Sequence, residues 1–321
     1  MASPDKSLAT LRPDLAESFE EFDPEADREG FIGHRVMPVV EVESATGKFG
    51  KLSIEHLLQT RDTLRAPGGG YSRQQHQFTE DSYITEEHGA EEVIDDNDSK
   101  MYQDFFDHEL VATKRARDAI LRNAEIRIAD KLFNTTNFTP TTVTTEWSVL
   151  TSSAPITDVE AAVQRLWNTT GIRANALIVN WKVFRNLRNT TQIVDRIKYS
   201  GIDDPKAEKI TESMLAEVFG IRYVIVAGSP KNTANEGAAV SISPIWSDEY
   251  ALVTRVSNSA DFREPCIGRT MHWSEDGSSI FGTVEEYREE DKRSTIIRVR
   301  HQVDEKILYS ELGELLDNIT V

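Results

Sequence analysis

The side chains that could bind a metal ion are few, and they fall in one polar stretch. His76, Glu86, Glu87 and His88 offer imidazole and carboxylate ligands close together along the chain. Their spacing matches no recurrent zinc or calcium pattern, because such sites place their ligands at characteristic intervals. A solvated polar loop is therefore favoured over a metal site, and no metal is predicted.

The cysteine and one glycine run are the remaining candidates for chemistry. Cys266 follows Pro265, with no basic cluster or helix N-terminus to stabilise a thiolate, so a buried core residue is predicted rather than a nucleophile. The run Gly68–Gly70 lies in a polar stretch, where a flexible loop is favoured over a phosphate-binding turn. The sequence has no Rossmann, P-loop, zinc-protease or nucleophile-elbow motif. No catalytic residue and no cofactor is predicted.

The chain is long and strongly acidic. Its 321 residues exceed the size at which single cores usually divide, so two or more packed regions are expected. With 54 Asp and Glu against 36 Lys and Arg, its net charge of −18 argues against general nucleic-acid binding. No apolar stretch approaches the length of a membrane-spanning helix, and the N-terminus lacks a signal-peptide pattern. A single cysteine is typical of synthesis in a reducing cytoplasm.

Residues 1–35 predict an extended arm. Acidic residues surround Phe19 and Phe22, and Pro13 and Pro24 interrupt any long helix. Such a segment buries too little apolar surface to fold alone. The arm is therefore either disordered or laid across a neighbouring chain, in which case Phe19 and Phe22 are its contact residues.

Residues 36–95 predict a β-rich start that continues into a protruding loop. The segment from Arg61 to Glu92 is polar and has little apolar surface with which to form a core of its own. Its apolar anchors are Tyr71, Phe78, Tyr83 and Ile84. A two-stranded ribbon outside the core needs a partner surface to be stable, so these four residues are predicted to contact a second subunit.

An amphipathic pattern predicts one long helix from about residue 99 to residue 133. Small and apolar residues recur at three- and four-residue spacing, which assigns Ala116 and Ala124 to the core face and Arg117 to the exposed face. Asp98 or Ser99 can cap the N-terminus. At 1.5 Å per residue the helix would be roughly 50 Å long.

From residue 146 onward, helices alternate with buried strands, which predicts an α/β region. Thr157 and Glu160 have the spacing of a capping box at the start of a helix that ends near Gly171. Thr211 is predicted to cap a later helix, and Gly220 to end it in the left-handed conformation. Beyond residue 255, two β-rich runs joined by a charged turn predict a hairpin.

This order of elements resembles the Hong Kong 97-type fold of tailed-bacteriophage major capsid proteins. Short sequence segments are similar as well, in what would be the axial, strand and hairpin parts of such subunits. They are Asn175–Leu187, Asp195–Tyr199, Ile210–Ile221, Ser243–Asp248 and Glu286–Glu290. The resemblance covers nearly the whole chain and implies an α+β capsid fold.

The resemblance implies four regions. Residues 1–35 would form the N-terminal arm and residues 36–95 the extended β-loop. Residues 96–145 together with 255–321 would form a peripheral domain around the long spine helix. Residues 146–254 would form the axial domain.

A capsid subunit of this kind would assemble into pentamers and hexamers of an icosahedral shell around double-stranded DNA. Its expected partners are further copies of itself, a portal, a separate scaffolding protein and a decoration protein. The separate scaffold is expected because the arm begins almost at Met1. The protein would be made in the host cytoplasm and carried in the virion. Two alternatives stay open, a cellular encapsulin-type nanocompartment shell and an α/β enzyme with the glycine run in an active-site lid.

Overall fold

The computed structural model describes residues 10–11, 30–52, 60, 63–65, 67–71, 73, 78–97, 108–199, 209–235, 237–259, 261, 264–274 and 280–320. The helices are α1 (Gly33–Val36), α2 (His108–Leu132), α3 (Pro155–Thr170), α4 (Trp181–Asn189), α5 (Thr191–Tyr199) and α6 (Glu212–Phe219). The strands are β1 (Thr10–Leu11), β2 (Val39–Val42), β3 (Thr46–Leu52), β4 (Phe78–Ile84), β5 (Glu86–Asp95), β6 (Thr141–Thr142), β7 (Ala176–Asn180), β8 (Tyr223–Ala227), β9 (Pro230–Asn232), β10 (Ile242–Pro244), β11 (Ala251–Thr254), β12 (Gly268–Trp273), β13 (Thr283–Glu289), β14 (Ser294–Ile307) and β15 (Gly313–Asp317). This mixture of helices and strands agrees with the predicted α+β class.

The long strand β14 is the centre of a six-stranded sheet. It pairs with β13 and β12 along one edge and with β5 along the other, and β1 and β2 complete the sheet outside β13 and β12. The predicted C-terminal hairpin is confirmed as β13 and β14. Its turn is a short 3₁₀ segment, Glu290–Lys292, followed by Arg293 in the left-handed region at φ 54°.

Helix α2 packs along this sheet through small side chains. Ala116 and Ile120 lie in one buried cluster with Ile297 and Val299 of β14, and Ala124 is buried further along the same face. The predicted core face is therefore confirmed over the described part of the helix, while residues 99–107, predicted as its first turns, lie outside the described residues.

The expectation that Arg117 is exposed was wrong. Only 8% of the residue is exposed, and its guanidinium lies 4.9 Å from the ring centroid of Phe281. An aromatic ring attracts the guanidinium charge and also covers the aliphatic part of the arginine side chain. A charged residue can therefore be buried at this position. Helical periodicity alone gives no sign of this, because Phe281 comes from a distant part of the chain.

A second sheet, in the order β6-β15-β11-β7-β8, is covered by helices α3, α4 and α6, and α5 packs against these three helices. Every residue of β7 is buried, and β7 runs parallel to β8, as expected for an α/β region. Strand β15 pairs with β11, so Gly313–Asp317 packs with this region.

The boundaries of the predicted helices are mostly confirmed. The Thr211 hydroxyl accepts a hydrogen bond from the Met214 N–H at 3.4 Å, and Gly220 ends α6 at φ 66°. The predicted capping box at residues 157–160 was wrong, because α3 begins two residues earlier, at Pro155. Proline favours the first turn of a helix because its φ is already fixed near the helical value.

Candidate subunit interface

Strands β3 and β4 form a ribbon (residues 46–52 and 78–84) that leaves the six-stranded sheet. Within the described residues these two strands pair only with each other. The flanking strands β2 and β5 pair with β12 and β14, so both ends of the predicted loop belong to the sheet. The protruding part is therefore shorter than the predicted 36–95.

The base of the ribbon is tied to β14. The Ile84 N–H donates to a carboxylate oxygen of Asp304 at 3.2 Å, and Lys306 Nζ lies 3.0 Å from Asp81 Oδ1. Burial alone would raise the pKa of Asp81, but the hydrogen bonds from Lys306 and from the Ser82 N–H outweigh it and lower that pKa below its usual value. These contacts fix the direction in which the ribbon leaves the subunit.

An apolar cleft of about 440 Å³ opens where the ribbon meets the sheet. Its apolar and aromatic lining comprises Val42, Phe49, Tyr83, Leu308 and Tyr309. Lys51 lies at the same place, with Nζ 4.5 Å from the ring centroid of Tyr309. The ribbon base thus presents aromatic side chains, which are enriched at protein interfaces.

The predicted contact residues have different surroundings. Tyr71 is 72% exposed and Ile84 is 63% exposed, so both are available to a second molecule. Tyr83 packs against the subunit's own cluster around Val40 and Met271. Part of its apolar surface is therefore already buried within the chain. The side chain of Phe78 and the arm residues Phe19 and Phe22 lie outside the described residues. The contact role of all six residues stays a prediction.

Exposed aromatic residues that the sequence analysis did not single out occur in the α/β region. Trp181, the first residue of α4, is 55% exposed, and Tyr199, the last residue of α5, is 91% exposed. The signal was present in the helical pattern, because both residues fall on the polar side of their helices with charged neighbours. Large aromatic residues on a polar helix face are typical of interfaces.

A buried carboxylate fixes the place where the N-terminal segment joins the body. Glu125 of α2 is buried and accepts hydrogen bonds from the N–H groups of Ile32 (2.9 Å) and Gly33 (2.7 Å) and from the Trp246 indole (2.6 Å). A Cβ at Gly33 would lie 2.6 Å from Glu125 Oε2, so only glycine allows this approach. Burial raises the pKa of Glu125 above its usual value. The residue was not predicted, although a carboxylate beside Ala124 on the core face is itself a signal.

Histidines lie around a buried ion pair between α2 and β14. Arg127 Nη2 is 2.7 Å from Glu305 Oε1, and the rings of His88 and His301 meet edge to face at 6.0 Å. Burial lowers the pKa of His301 to about 4 and that of His34 to about 4. These imidazoles are therefore neutral in the folded subunit near pH 7.

The residues weighed for chemistry form no metal site in the described part of the chain. Across the described part of the chain, no group of three or more His, Cys, Asp or Glu side chains could hold a metal ion. Cys266 is buried, as predicted, and burial raises the pKa of its thiol. His76 lies outside the described residues, while Glu86, Glu87 and His88 belong to β5. Among the helices described, none is long and apolar enough to cross a membrane.

Comparison with known proteins supports a capsid fold. No family model matches the chain. The major capsid protein of Burkholderia phage BcepMu is 26% identical over 306 residues, which cover 90% of this chain and 91% of that protein. A phage-related protein from Bordetella bronchiseptica RB50 superposes with a TM-score of 0.68 at 19% identity, covering 97% of this chain and 98% of that one. The capsid structure of Cyanophage P-SCSP1u gives 0.60 at 11% identity, covering 88% and 86%. The resemblance drawn from the sequence is thereby confirmed: the chain has the fold of phage capsid proteins and is similar over nearly its whole length to a phage major capsid protein.

Proposed function

We propose that this chain is the major capsid protein of a tailed phage, a subunit that associates with copies of itself into pentamers and hexamers of a closed icosahedral shell around double-stranded DNA. The observation that carries the proposal is the ribbon, which extends from a capsid fold and, in the described residues, pairs with no strand of the body. A two-stranded ribbon is marginal by itself and needs a second surface.

The roles of the parts of the subunit follow the regions implied by the resemblance, except that β15 pairs with the strands of the axial region. In this proposal α2 is the spine helix, the six-stranded sheet belongs to the peripheral domain, and the ribbon is the core of the extended loop. The region around β7, β8 and helices α3 to α6 is the axial domain that gathers around the symmetry axes. The arm comprises the residues that precede the anchor at Ile32 and Gly33, with Phe19 and Phe22 as its contacts.

The energy of assembly is supplied by modest contacts repeated many times. Burying Tyr71 or Ile84 on a neighbour would contribute roughly 1.5–3 kcal/mol per side chain. Side chains that stay exposed in one subunit contribute this energy only on association. Because every subunit makes the same contacts, their sum over a shell is large even when each is small.

The acidic surface suits a container for DNA. With a net charge of −18, the wall does not bind phosphates strongly, so packaged DNA is enclosed without being held at fixed places. Scaffolding, portal and decoration proteins are further expected partners, made with the subunit in the host cytoplasm and taken from the capsid resemblance.

A cellular nanocompartment and a virion shell are distinguished by contents and relatives. The curated relative is named a phage major capsid protein, which favours the virion and a structural rather than catalytic role. Shells purified from infected or induced cells would contain DNA in the first case and a cargo enzyme in the second.

The proposal is tested by imaging the purified full chain. Negative-stain microscopy and sedimentation velocity should show rings or shells at high concentration, alone or with a scaffolding protein. A compact monomer under all ionic strengths, with and without scaffold, would contradict the proposed function.

A further inference from the structure

The outer face of helices α4 and α5 has the chemistry of a subunit contact. We propose that this α4–α5 face, formed by Trp181, Arg185, Arg188, Arg196 and Tyr199, binds the acidic surface of a second copy of the chain in a head-to-tail arrangement. The proposal rests on the proposed function, because it names one of the contacts through which the shell subunits associate.

The two helices are adjacent in the chain and turn their polar sides away from one shared core. A single residue, Thr190, separates the end of α4 from the start of α5. Val183 and Leu187 of α4 and Ile193 and Ile197 of α5 all lie in the same buried cluster. Because both helices bury their apolar sides in one core, their polar sides both face away from it.

Trp181 is held in place by a neighbouring ring, and Tyr199 is exposed. The Trp181 ring stacks at a tilt on Phe184, with centroids 6.0 Å apart, and the Arg188 guanidinium lies 5.4 Å from the Phe184 centroid. Tyr199 is exposed at the far end of α5. Trp, Tyr and Arg are the residues most enriched among those that dominate binding energy at interfaces, and pre-positioned side chains lose less entropy on binding.

The charge of this face is opposite to that of the remaining chain. Residues 181–199 carry five Lys or Arg and one Asp, a net charge of +4. Since the whole chain has a net charge of −18, the other 302 residues carry −22. The surface that a second copy can offer is therefore acidic on balance, which complements the face electrostatically.

A nucleic-acid partner fits this face less well. Lys182 Nζ is 2.6 Å from Asp248 and Lys198 Nζ is 3.9 Å from Asp195, so two of the five cations are already neutralised. Three arginines remain: Arg185 and Arg196 are exposed, and Arg188 is partly buried over the Phe184 ring. Phosphate-tracking proteins use many such contacts, and so few give only weak binding.

The same charge asymmetry favours one kind of symmetry. In a two-fold contact centred on the α4–α5 face, the cations of the face would lie against the same cations of the partner. The inferred contact is therefore heterologous, with a different, acidic surface of the second copy against the face. Heterologous contacts close into rings when the rotation allows it, which agrees with pentamers and hexamers.

The test compares full-length variants of equal charge. Arg185→Glu/Arg196→Glu reverses the two exposed cations of the face. Arg173→Glu/Arg222→Glu makes the same charge change at the opposite end of the parallel strands, because Arg173 and Arg222 precede β7 and β8 whereas α4 follows β7. Circular dichroism and thermal melting first establish that each variant folds.

Sedimentation velocity and negative-stain microscopy then report assembly. The face variant should associate at least about thirtyfold more weakly than the parent, the loss typical of a dominant interface residue. The control variant should assemble like the parent. A neutral variant, Trp181→Ala/Tyr199→Ala, should also assemble poorly, and it replaces the charge-reversal variant if that one does not fold.

Two results would overturn the inference. If the parent assembles and both face variants assemble equally well, the α4–α5 face is not a contact, while the proposed function stands. If assembly is unchanged but binding to a 30-base-pair DNA duplex falls, the face serves a nucleic acid instead. Failure of the parent itself to assemble would count against the proposed function and the inference together.

Discussion

Replacing Glu125 by alanine should destabilise the subunit and loosen its N-terminal segment. The substitution removes the acceptor for three buried donors, the N–H groups of Ile32 and Gly33 and the indole of Trp246. Each buried donor left without a partner costs about 1–3 kcal/mol, and removing a buried carboxylate recovers part of its own desolvation cost. We therefore expect a net loss of about 3 kcal/mol in the free energy of unfolding.

Urea unfolding of the soluble subunit, followed by circular dichroism, measures this loss. Asp130→Ala is the matched control, because Asp130 is an exposed acid on the same helix and should change stability by less than about 0.5 kcal/mol. Tryptic cleavage after the exposed Arg35 in α1 reports the local effect and should be faster in Glu125→Ala. If Glu125→Ala and Asp130→Ala unfold and are cleaved alike, the carboxylate does not fix the N-terminal segment.

Three further predictions concern pH, packing and DNA. Because burial lowers the folded pKa of His301 to about 4 from 6.5, the unfolded chain binds more protons between these values. The stability present above pH 6.5 should fall by up to about 3 kcal/mol toward pH 4, and less in His301→Gln, as measured by urea unfolding at pH 7.5 and 4.5. Ala116→Asp places an unpaired charge in the core and should give insoluble or unfolded protein, whereas Asn123→Asp on the exposed side of α2 should fold; equal solubility would mean that the helix face is misassigned. The isolated subunit should bind duplex DNA weakly. Sub-micromolar binding at physiological salt in a fluorescence anisotropy assay would contradict the argument that the acidic surface does not bind phosphates strongly.

Elements set by local pattern could be predicted from the sequence. The core face of α2 follows from alanine and isoleucine spacing, and the β13–β14 hairpin from two β-rich runs around a charged turn. Both depend on residues near one another in the chain, and both are confirmed. A protruding two-stranded ribbon was predicted because this segment has little apolar surface, although its bounds were not.

Elements set by distant contacts could not be predicted in the same way. Strand β5 joins β14 across most of the chain, so the sequence offered no way to see that the protruding loop ends at Ile84. Arg117 is buried because Phe281 covers it, and Glu125 is an anchor because Ile32, Gly33 and Trp246 converge on it. In each case the deciding partner is remote in sequence, and helical periodicity carries no information about it.

Trimming the ribbon separates folding from assembly and tests the central claim that this segment acts between subunits. Phe49 and Asp81 are direct partners in the ribbon, so residues Gly50 to Glu80 can be replaced by Asn-Gly, which closes a tight hairpin. The variant keeps Tyr83 in its cluster and the Lys306–Asp81 ion pair.

Negative-stain microscopy of this variant, beside the parent under identical assembly conditions, is the most direct measurement. Circular dichroism and thermal melting of the soluble variant should stay close to those of the parent subunit. Shells should fail to form or should dissociate in mild denaturant. Stable shells from the trimmed chain, or loss of folding in the isolated subunit, would contradict the account.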